Sequence, residues 1–299
     1  VTPATQARTR PTTQPTGAFL RWVGGKRKLV PQLLARVPAH THYIEPFLGA
    51  GSLFFALSQK AQKAPIPALI ADLNWELIET YQALGSQTEA VIRTLQACVA
   101  RLRDADCTVP VFYEEMRSMT PQGLPPAAIA ARFIVLNKLC FNGIYRVNKK
   151  GTFNVPLGKF TTFPNLCDVV QLRHTANVLQ TSRAEILHQS FEESLEAADR
   201  GSFVYCDPPY APVSTTADFT SYTKEAFDDA AQTRLRDCLV KARERGAHVL
   251  VSNSNAPLIH KLYDTASWRI EKIQVGRAVN SDISKRQPVT ELLIAGDPS

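Results

Sequence analysis

The six cysteines, Cys98, Cys107, Cys140, Cys167, Cys206 and Cys238, form no C-x-x-C pair, and none stands near a histidine at zinc spacing. A structural metal is not expected. Several lie in apolar runs and read as small buried hydrophobes in a reducing compartment. No apolar stretch is long enough to span a bilayer and no signal peptide is recognisable, so no membrane partner is expected and the chain reads as cytoplasmic. There is no G-x-G-x-x-G fingerprint, and no lysine follows the glycine turn at Gly49 and Gly51 as in a P-loop. Dinucleotide and nucleotide-phosphate binding lose their usual signals. The histidines, His40, His42, His174, His188, His248 and His260, form no recognisable catalytic set. No internal repeat is visible.

What is present is 299 residues of ordinary globular composition, 44% hydrophobic and 20% charged, with length to spare for a large core. The net charge is +7, and the pI of about 9.1 follows from it. A basic balance favours a polyanionic partner such as nucleic acid; simple solubility is the bland alternative. Residues 1–17, rich in Thr, Pro, Gln and Ala, read as a disordered tail.

Short β-branched or apolar runs alternate with helical spacing along the rest of the chain. Strands are expected at Tyr43–Phe47, Ala68–Asp72, Ala184–His188, Ser202–Cys206, Ala247–Ser252, Trp268–Val275 and Thr290–Ala295. Helices are expected at Ser52–Gln59 with Ser52 as cap, Trp75–Leu84, Glu89–Arg103, an amphipathic Pro126–Cys140, Asp168–Leu179, Glu192–Ala198, Lys224–Arg245 and Ala256–Tyr263. Phe141–Asn165 is rich in Asn, Gly, Lys and Pro and reads as a loop-rich or hairpin-bearing insert. The alternation predicts a doubly wound α/β sheet.

Asp207-Pro208-Pro209-Tyr210 ends one of these strands. Two prolines stop the strand in a rigid loop that offers a carboxylate, carbonyls without adjacent donors, and an aromatic ring. That set suits an exocyclic amine on a planar base: the carboxylate and a proline carbonyl accept from –NH₂ while the tyrosine stacks. A strand-end turn without chemistry is the other reading. In an open α/β sheet ligands bind beyond the carboxyl ends of the strands. The first strand runs into Phe47-x-Gly49-x-Gly51, where the backbone can approach a ligand closely. Asp72 ends the second strand roughly 20 residues later, the place of a ribose-binding carboxylate, or else of a helix cap. A ribose without a pyrophosphate fits S-adenosylmethionine. Phe19 to Lys26 adds Trp22, a Gly24-Gly25 turn and Lys26, which faces either the cofactor carboxylate or solvent.

The order of these motifs resembles the DNA adenine-N6 methyltransferase (Dam) family, in the class that places its recognition region between the cofactor and catalytic motifs. The matching stretches are Phe19–Lys26, Glu45–Ser52, Ala71–Asn74, Asn137–Gly158, Val204–Pro212 and Val249–Asn253; the most specific is Phe141-Asn-Gly-Ile-Tyr-Arg146 with Asn148, Gly151 and Phe153–Gly158. The resemblance implies a doubly wound mixed sheet of the S-adenosylmethionine-dependent methyltransferase (Rossmann-like) type with an inserted DNA-recognition subdomain. Residues 18–85 and 180–299 would form the catalytic domain and 86–179 the insert. It implies Asp207, Pro208, Pro209 and Tyr210 as the catalytic set. Trp22, Gly24, Lys26, Glu45, Phe47, Gly49, Gly51, Asp72, Ser190, Phe191 and Asp207 would line the cofactor pocket, with Ser190 and Phe191 flanking the cofactor adenine unless Phe191 is ordinary core.

Double-stranded DNA is the implied partner, contacted by Arg21, Phe141, Asn142, Ile144, Arg146, Asn148, Pro156, Lys159, Arg277 and Lys285. Arg146 can grip guanine O6 and N7, and Phe141 can wedge into the gap left by a flipped base. Lys149, Lys150 and Lys159 read as phosphate contacts or as a solvated face. The implied activity is methylation of adenine N6, within GATC or else at a different DNA site, by a monomer associated with the nucleoid of a bacterial, archaeal or phage-infected cell, including the methylating half of a restriction–modification pair. Cytosine-N4, RNA-adenine or protein-glutamine methylation, an inactive DNA-binding module and a dehydrogenase are the competing readings. The leading Asp argues against cytosine, the basic insert against a protein substrate, the intact motif residues against an inactive module and the missing fingerprint against a dehydrogenase; RNA-adenine methylation stays open.

Overall fold

A computed structural model describes residues 18–61, 64–213, 227–276 and 288–299. In chain order the main elements are α1 (Val30–Leu34), β1 (His42–Glu45), α2 (Ser52–Lys60), β2 (Ala68–Asp72), α3 (Trp75–Ser86), α4 (Thr88–Arg101), α5 (Val109–Ser118), α6 (Pro126–Leu139), α7 (Val169–Thr181), β3 (Ala184–His188), α8 (Phe191–Glu196), β4 (Ser202–Cys206), α9 (Asp229–Glu244), β5 (His248–Ser254), α10 (Pro257–Tyr263), β6 (Arg269–Gly276) and β7 (Pro288–Gly296). The tail at 1–17 lies outside the described residues.

The seven strands form one sheet in the order β3-β2-β1-β4-β5-β7-β6. All pairs are parallel except β5–β7 and β6–β7. This is the doubly wound mixed sheet expected. The central strand β4 is buried on both faces, which is why it reads as an unbroken apolar run. Its side chains alternate: Phe203 and Tyr205 enter one core, Val204 and Cys206 the other. The edge strand β6 instead exposes Arg269, Glu271 and Lys272, charges that discourage edge-to-edge pairing.

The first core includes Phe54, Phe55 and Tyr81, but also Val91, Ile134 and Leu172 from the 86–179 stretch. That stretch therefore shares a core with Phe203 of the sheet. Its central helix, α6, was expected to be amphipathic; it is buried on nearly every face, with Arg132 and Asn137 among its buried residues. A helix apolar all round needs partners on all sides, and α6 packs against α3, α4 and α5.

Local signals placed most elements to within a turn, with four differences, the first being α1, which has no counterpart among the expected helices. Gly51, not Ser52, is the N-cap of α2, and Ser52 already occupies the first helical position. α9 begins at Asp229 because the Asp228 side chain accepts from the Ala231 amide and caps it there. α5 has no counterpart in the expectations, although Thr108 caps it and Pro110 sits in its first turn. Among the described residues no helix is long and apolar enough to cross a membrane.

Strand order reverses at β1, which is flanked by β2 and β4. The crevice beyond the carboxyl ends of β1, β2 and β4 is thus the ligand site that topology favours.

Candidate active site

Two tethers shape the turn after β1. The Leu48 amide donates to the Ala71 carbonyl at 2.9 Å and the Gly49 amide to Asp72 Oδ2 at 3.0 Å. Gly49 and Gly51 both adopt positive φ, 48° and 62°. A Cβ on Gly49 would lie 2.6 Å from Trp22 Nε1, so the turn and the indole touch through bare backbone. Tyr81 completes the clasp by donating to the Gly49 carbonyl at 3.0 Å. Asp72 is not the cap of α3: Asn74 fills that role, accepting from the Leu77 amide. The other Asp72 oxygen accepts from the Asn74 amide at 2.9 Å, which leaves each oxygen a lone pair for a ligand. Burial raises the Asp72 pKa, and those amide bonds oppose the rise. Leu73, beside it, is 52% exposed, and the buried Asn74 Nδ2 has no acceptor.

The Asp207–Tyr210 loop leaves β4 next door. Lys26 is buried, not solvated: its Nζ lies 2.8 Å from Asp207 Oδ1, donates to the Gly24 carbonyl at 2.7 Å, and sits 4.7 Å above the Tyr210 ring centroid. The Gly24–Lys26 turn is thereby locked to the Asp207–Tyr210 loop. The Lys26–Asp207 contact is a buried ion pair, with the Asp207 side chain still 20% exposed. Burial raises the Asp207 pKa and Lys26 opposes the rise. Tyr210 is held neutral by burial and by the adjacent Asp207 and Glu291 charges, all of which raise its pKa. Its hydroxyl donates to Glu291 Oε2 at 2.8 Å.

Four further supports were not assigned as site residues from the sequence, although Asn253 closes one of the matching stretches. Gln232 of α9 donates to the Pro209 carbonyl at 2.8 Å, and Asn253 of β5 donates to Gln232 while accepting from the Ala211 amide. Ser254 donates to the Ala211 carbonyl at 2.6 Å. Glu291 reaches the site because β7 is antiparallel: its opening residues lie beside the end of β5, where Glu291 pairs with Ser254. No local pattern announces Gln232, Ser254 or Glu291.

Glu45 ends β1 beneath both loops. It is 2% exposed and accepts from the Tyr43 hydroxyl at 2.8 Å. Burial pushes its carboxyl up to about 8; the Tyr43 bond opposes this and the Asp207 charge adds to it. Phe47 is half-buried, stacked on Phe191 at 5.6 Å and edge-on to Phe227. Phe191 is 4% exposed and belongs to the second core. The Ser190 hydroxyl is engaged as the cap of α8 in a reciprocal capping box with Glu193. Among the described residues no group of His, Cys, Asp and Glu is arranged to hold a metal.

The recognition residues gather at the end of α6. Phe141 is 49% exposed on a tight turn in which Asn142 adopts φ 55°. Gly143 is pressed against Arg21, whose Cβ a side chain there would meet at 2.4 Å. Asn137 grips the Arg21 backbone at both its amide (2.9 Å) and carbonyl (2.7 Å), and the exposed guanidinium donates to the Lys138 carbonyl at 3.3 Å. Arg146 is exposed and its Nε donates to Asn154 Oδ1 at 2.8 Å across a short hairpin bridged at Val147 and Phe153. Asn148 shapes the tip by accepting from the Lys150 and Thr152 amides. Ile144 is half-buried, whereas Pro156 and Lys159 are exposed nearby in sequence. Arg277 and Lys285 lie outside the described residues.

Comparison with known proteins gives one family. The family model for D12 class N6 adenine-specific DNA methyltransferase matches residues 22–277. The chain is 36% identical over 281 residues to the Type II methyltransferase M1.LlaDCHI of Lactococcus lactis subsp. cremoris, covering 92% of this chain and 94% of that one. It is 36% identical to the Type II methyltransferase M.MjaIII of Methanocaldococcus jannaschii, covering 92% and 97%. It is 32% identical to the DNA adenine methylase of Escherichia coli K12, covering 94% and 95%.

Proposed function

The chain belongs to the D12 class of N6 adenine-specific DNA methyltransferases, and on that footing we propose that it transfers the methyl group of S-adenosylmethionine to N6 of an adenine flipped out of duplex DNA, within GATC. The single observation that carries the site assignment is the Asp207 carboxylate, one oxygen paired with buried Lys26 at 2.8 Å while the side chain stays 20% exposed beside the sheet's switch point. A flipped adenine brings a donor to the exposed part of that carboxylate, its exocyclic amine.

The residues on the other side of the crevice fit S-adenosylmethionine. Asp72 keeps lone pairs for ribose hydroxyls, the Gly49 turn offers bare backbone, and the buried Asn74 Nδ2 is a donor without an acceptor. When bound, that cofactor supplies an electrophilic methyl on a sulfonium. The protein's part is positioning and electrostatics. Asp207 and the Pro208 carbonyl accept from the amine and favour a more tetrahedral nitrogen with its lone pair freed from the ring. Tyr210, fixed by the hydrogen bond from its hydroxyl to Glu291 and by Lys26 over one ring face, stacks on the base with the other face. Lys26 offsets the cost of keeping the Asp207 carboxylate ionised.

Flipping costs a few kcal/mol. Phe141 supports that step as an exposed ring on a rigid turn, able to fill the vacated stack. Arg146 and Arg21 supply guanidinium groups for base edges, and Lys159 a phosphate contact. The test is Asp207→Ala: methyl transfer is abolished while duplex binding is retained within a few-fold. Turnover near the wild-type rate would overturn the assignment.

A further inference from the structure

Glu76 lies in the first turn of α3, 2% exposed, four positions beyond Asp72. One of its oxygens pairs with Arg132 Nη1 at 2.5 Å and the other accepts from the Tyr145 hydroxyl at 2.9 Å. Arg132 is equally buried and also donates to the Met116 carbonyl at 3.0 Å. A buried ion pair is a poor source of stability, because well-packed apolar residues often do as well or better. What this pair does provide is a carboxylate with a fixed direction. Its free oxygen is spent on the recognition turn, 69 residues away in sequence.

Tyr145 immediately precedes Arg146. The chain enters this segment in extended form, with Ile144 at φ −70° and ψ 135°. Adjacent side chains of an extended chain face opposite ways. Tyr145 accordingly points inward, between Phe133 at 5.6 Å and Phe153 at 5.7 Å, while Arg146 is exposed and bonded to Asn154 on the other limb. That limb is pinned separately, by the Tyr113 hydroxyl donating to the Val155 carbonyl at 2.8 Å. Of the two tyrosine pins, only Tyr145 reaches the helix that leads out of the candidate cofactor pocket. A cavity of about 10 Å³ borders Glu76, Arg132 and Tyr145, so a ring without its hydroxyl tether has somewhere to shift.

We propose that Glu76 is a positioning residue for DNA specificity: acting through Tyr145, it fixes the point from which Arg146 reaches the bases. The inference rests on the proposed function above. Its test is Tyr145→Phe in the full chain, which removes one hydroxyl while keeping the Glu76–Arg132 pair and an aromatic ring of the same size. The ratio of kcat/KM on the wild type's preferred duplex to that on duplexes with one guanine-containing pair replaced is measured for both proteins, alongside thermal melting and cofactor binding. The ratio is expected to fall about tenfold, with cofactor affinity within twofold of wild type. A ratio within twofold of wild type overturns the inference alone. So does a uniform loss on every duplex that follows a fall in melting temperature and cofactor affinity, the mark of a merely structural role. A wild-type protein that shows no discrimination between duplexes overturns both the inference and the reading beneath it.

Discussion

Replacing Glu45 by Gln isolates one electrostatic cost beneath the site. The Gln side chain has nearly the same shape and can still accept from the Tyr43 hydroxyl, but it cannot ionise. In the native protein burial raises the Glu45 pKa from about 4.5 to about 8. A carboxyl raised on folding contributes stability that is fully present below its unfolded pKa and is lost as the pH climbs to the folded one. Each pH unit within that window costs roughly 1.4 kcal/mol, since the unfolded chain has released the proton and the folded one has not. Between about pH 5.5 and 8 the wild type should therefore lose roughly 3 kcal/mol relative to Glu45→Gln. Asp72 and Asp207 are also raised by burial, but both proteins share them, so the difference between the two curves reports Glu45. Urea melts of both proteins across that range measure it. A gap that stays constant with pH, or that narrows as the pH rises, would refute the reasoning.

Two further substitutions probe the pocket and the reading head. Gly49→Ala forces a Cβ to within 2.6 Å of Trp22 Nε1 at a φ of 48°, and should cost about 1–3 kcal/mol of stability together with cofactor affinity; calorimetric titration with S-adenosylmethionine and a thermal melt check both, and an unchanged melt would show that the indole simply moves aside. Arg146→Ala should relax discrimination at a guanine-containing position by about 1–3 kcal/mol; competition between matched duplexes reads it, and unchanged specificity would remove Arg146 from base reading.

Much of the fold was legible because its signals are local. The β2 run Ala68–Asp72 starts after Pro67 and ends on its own carboxylate, the β4 run Ser202–Cys206 lies between Gly201 and Asp207, and both strands appear at those bounds. The glycine turn and the proline loop were visible for the same reason. Each puts its chemistry within a few residues of a strand end. Contacts across the sheet were not visible. Glu291 meets Tyr210 from 81 residues away, and Gln232 reaches Pro209 from a helix whose own face looks ordinary. Lys26 illustrates both sides: its motif marked it as interesting, but only tertiary packing shows that it is buried against Asp207. Phe191 was open between a cofactor contact and core, and its place in the second core, stacked on Phe47, comes from packing that no pattern encodes. The insert looked separate because its loops break periodicity, whereas its helices share the core under the sheet.

The central claim is adenine-N6 methylation of DNA at a site read by the Phe141–Gly158 segment. Its most direct test is transfer from labelled S-adenosylmethionine to two matched duplexes, one carrying GATC and one lacking it, with digestion to identify the modified base. Label recovered as N6-methyladenine from the GATC duplex alone is the predicted result. Label in another base, or equal label in both duplexes, would contradict it.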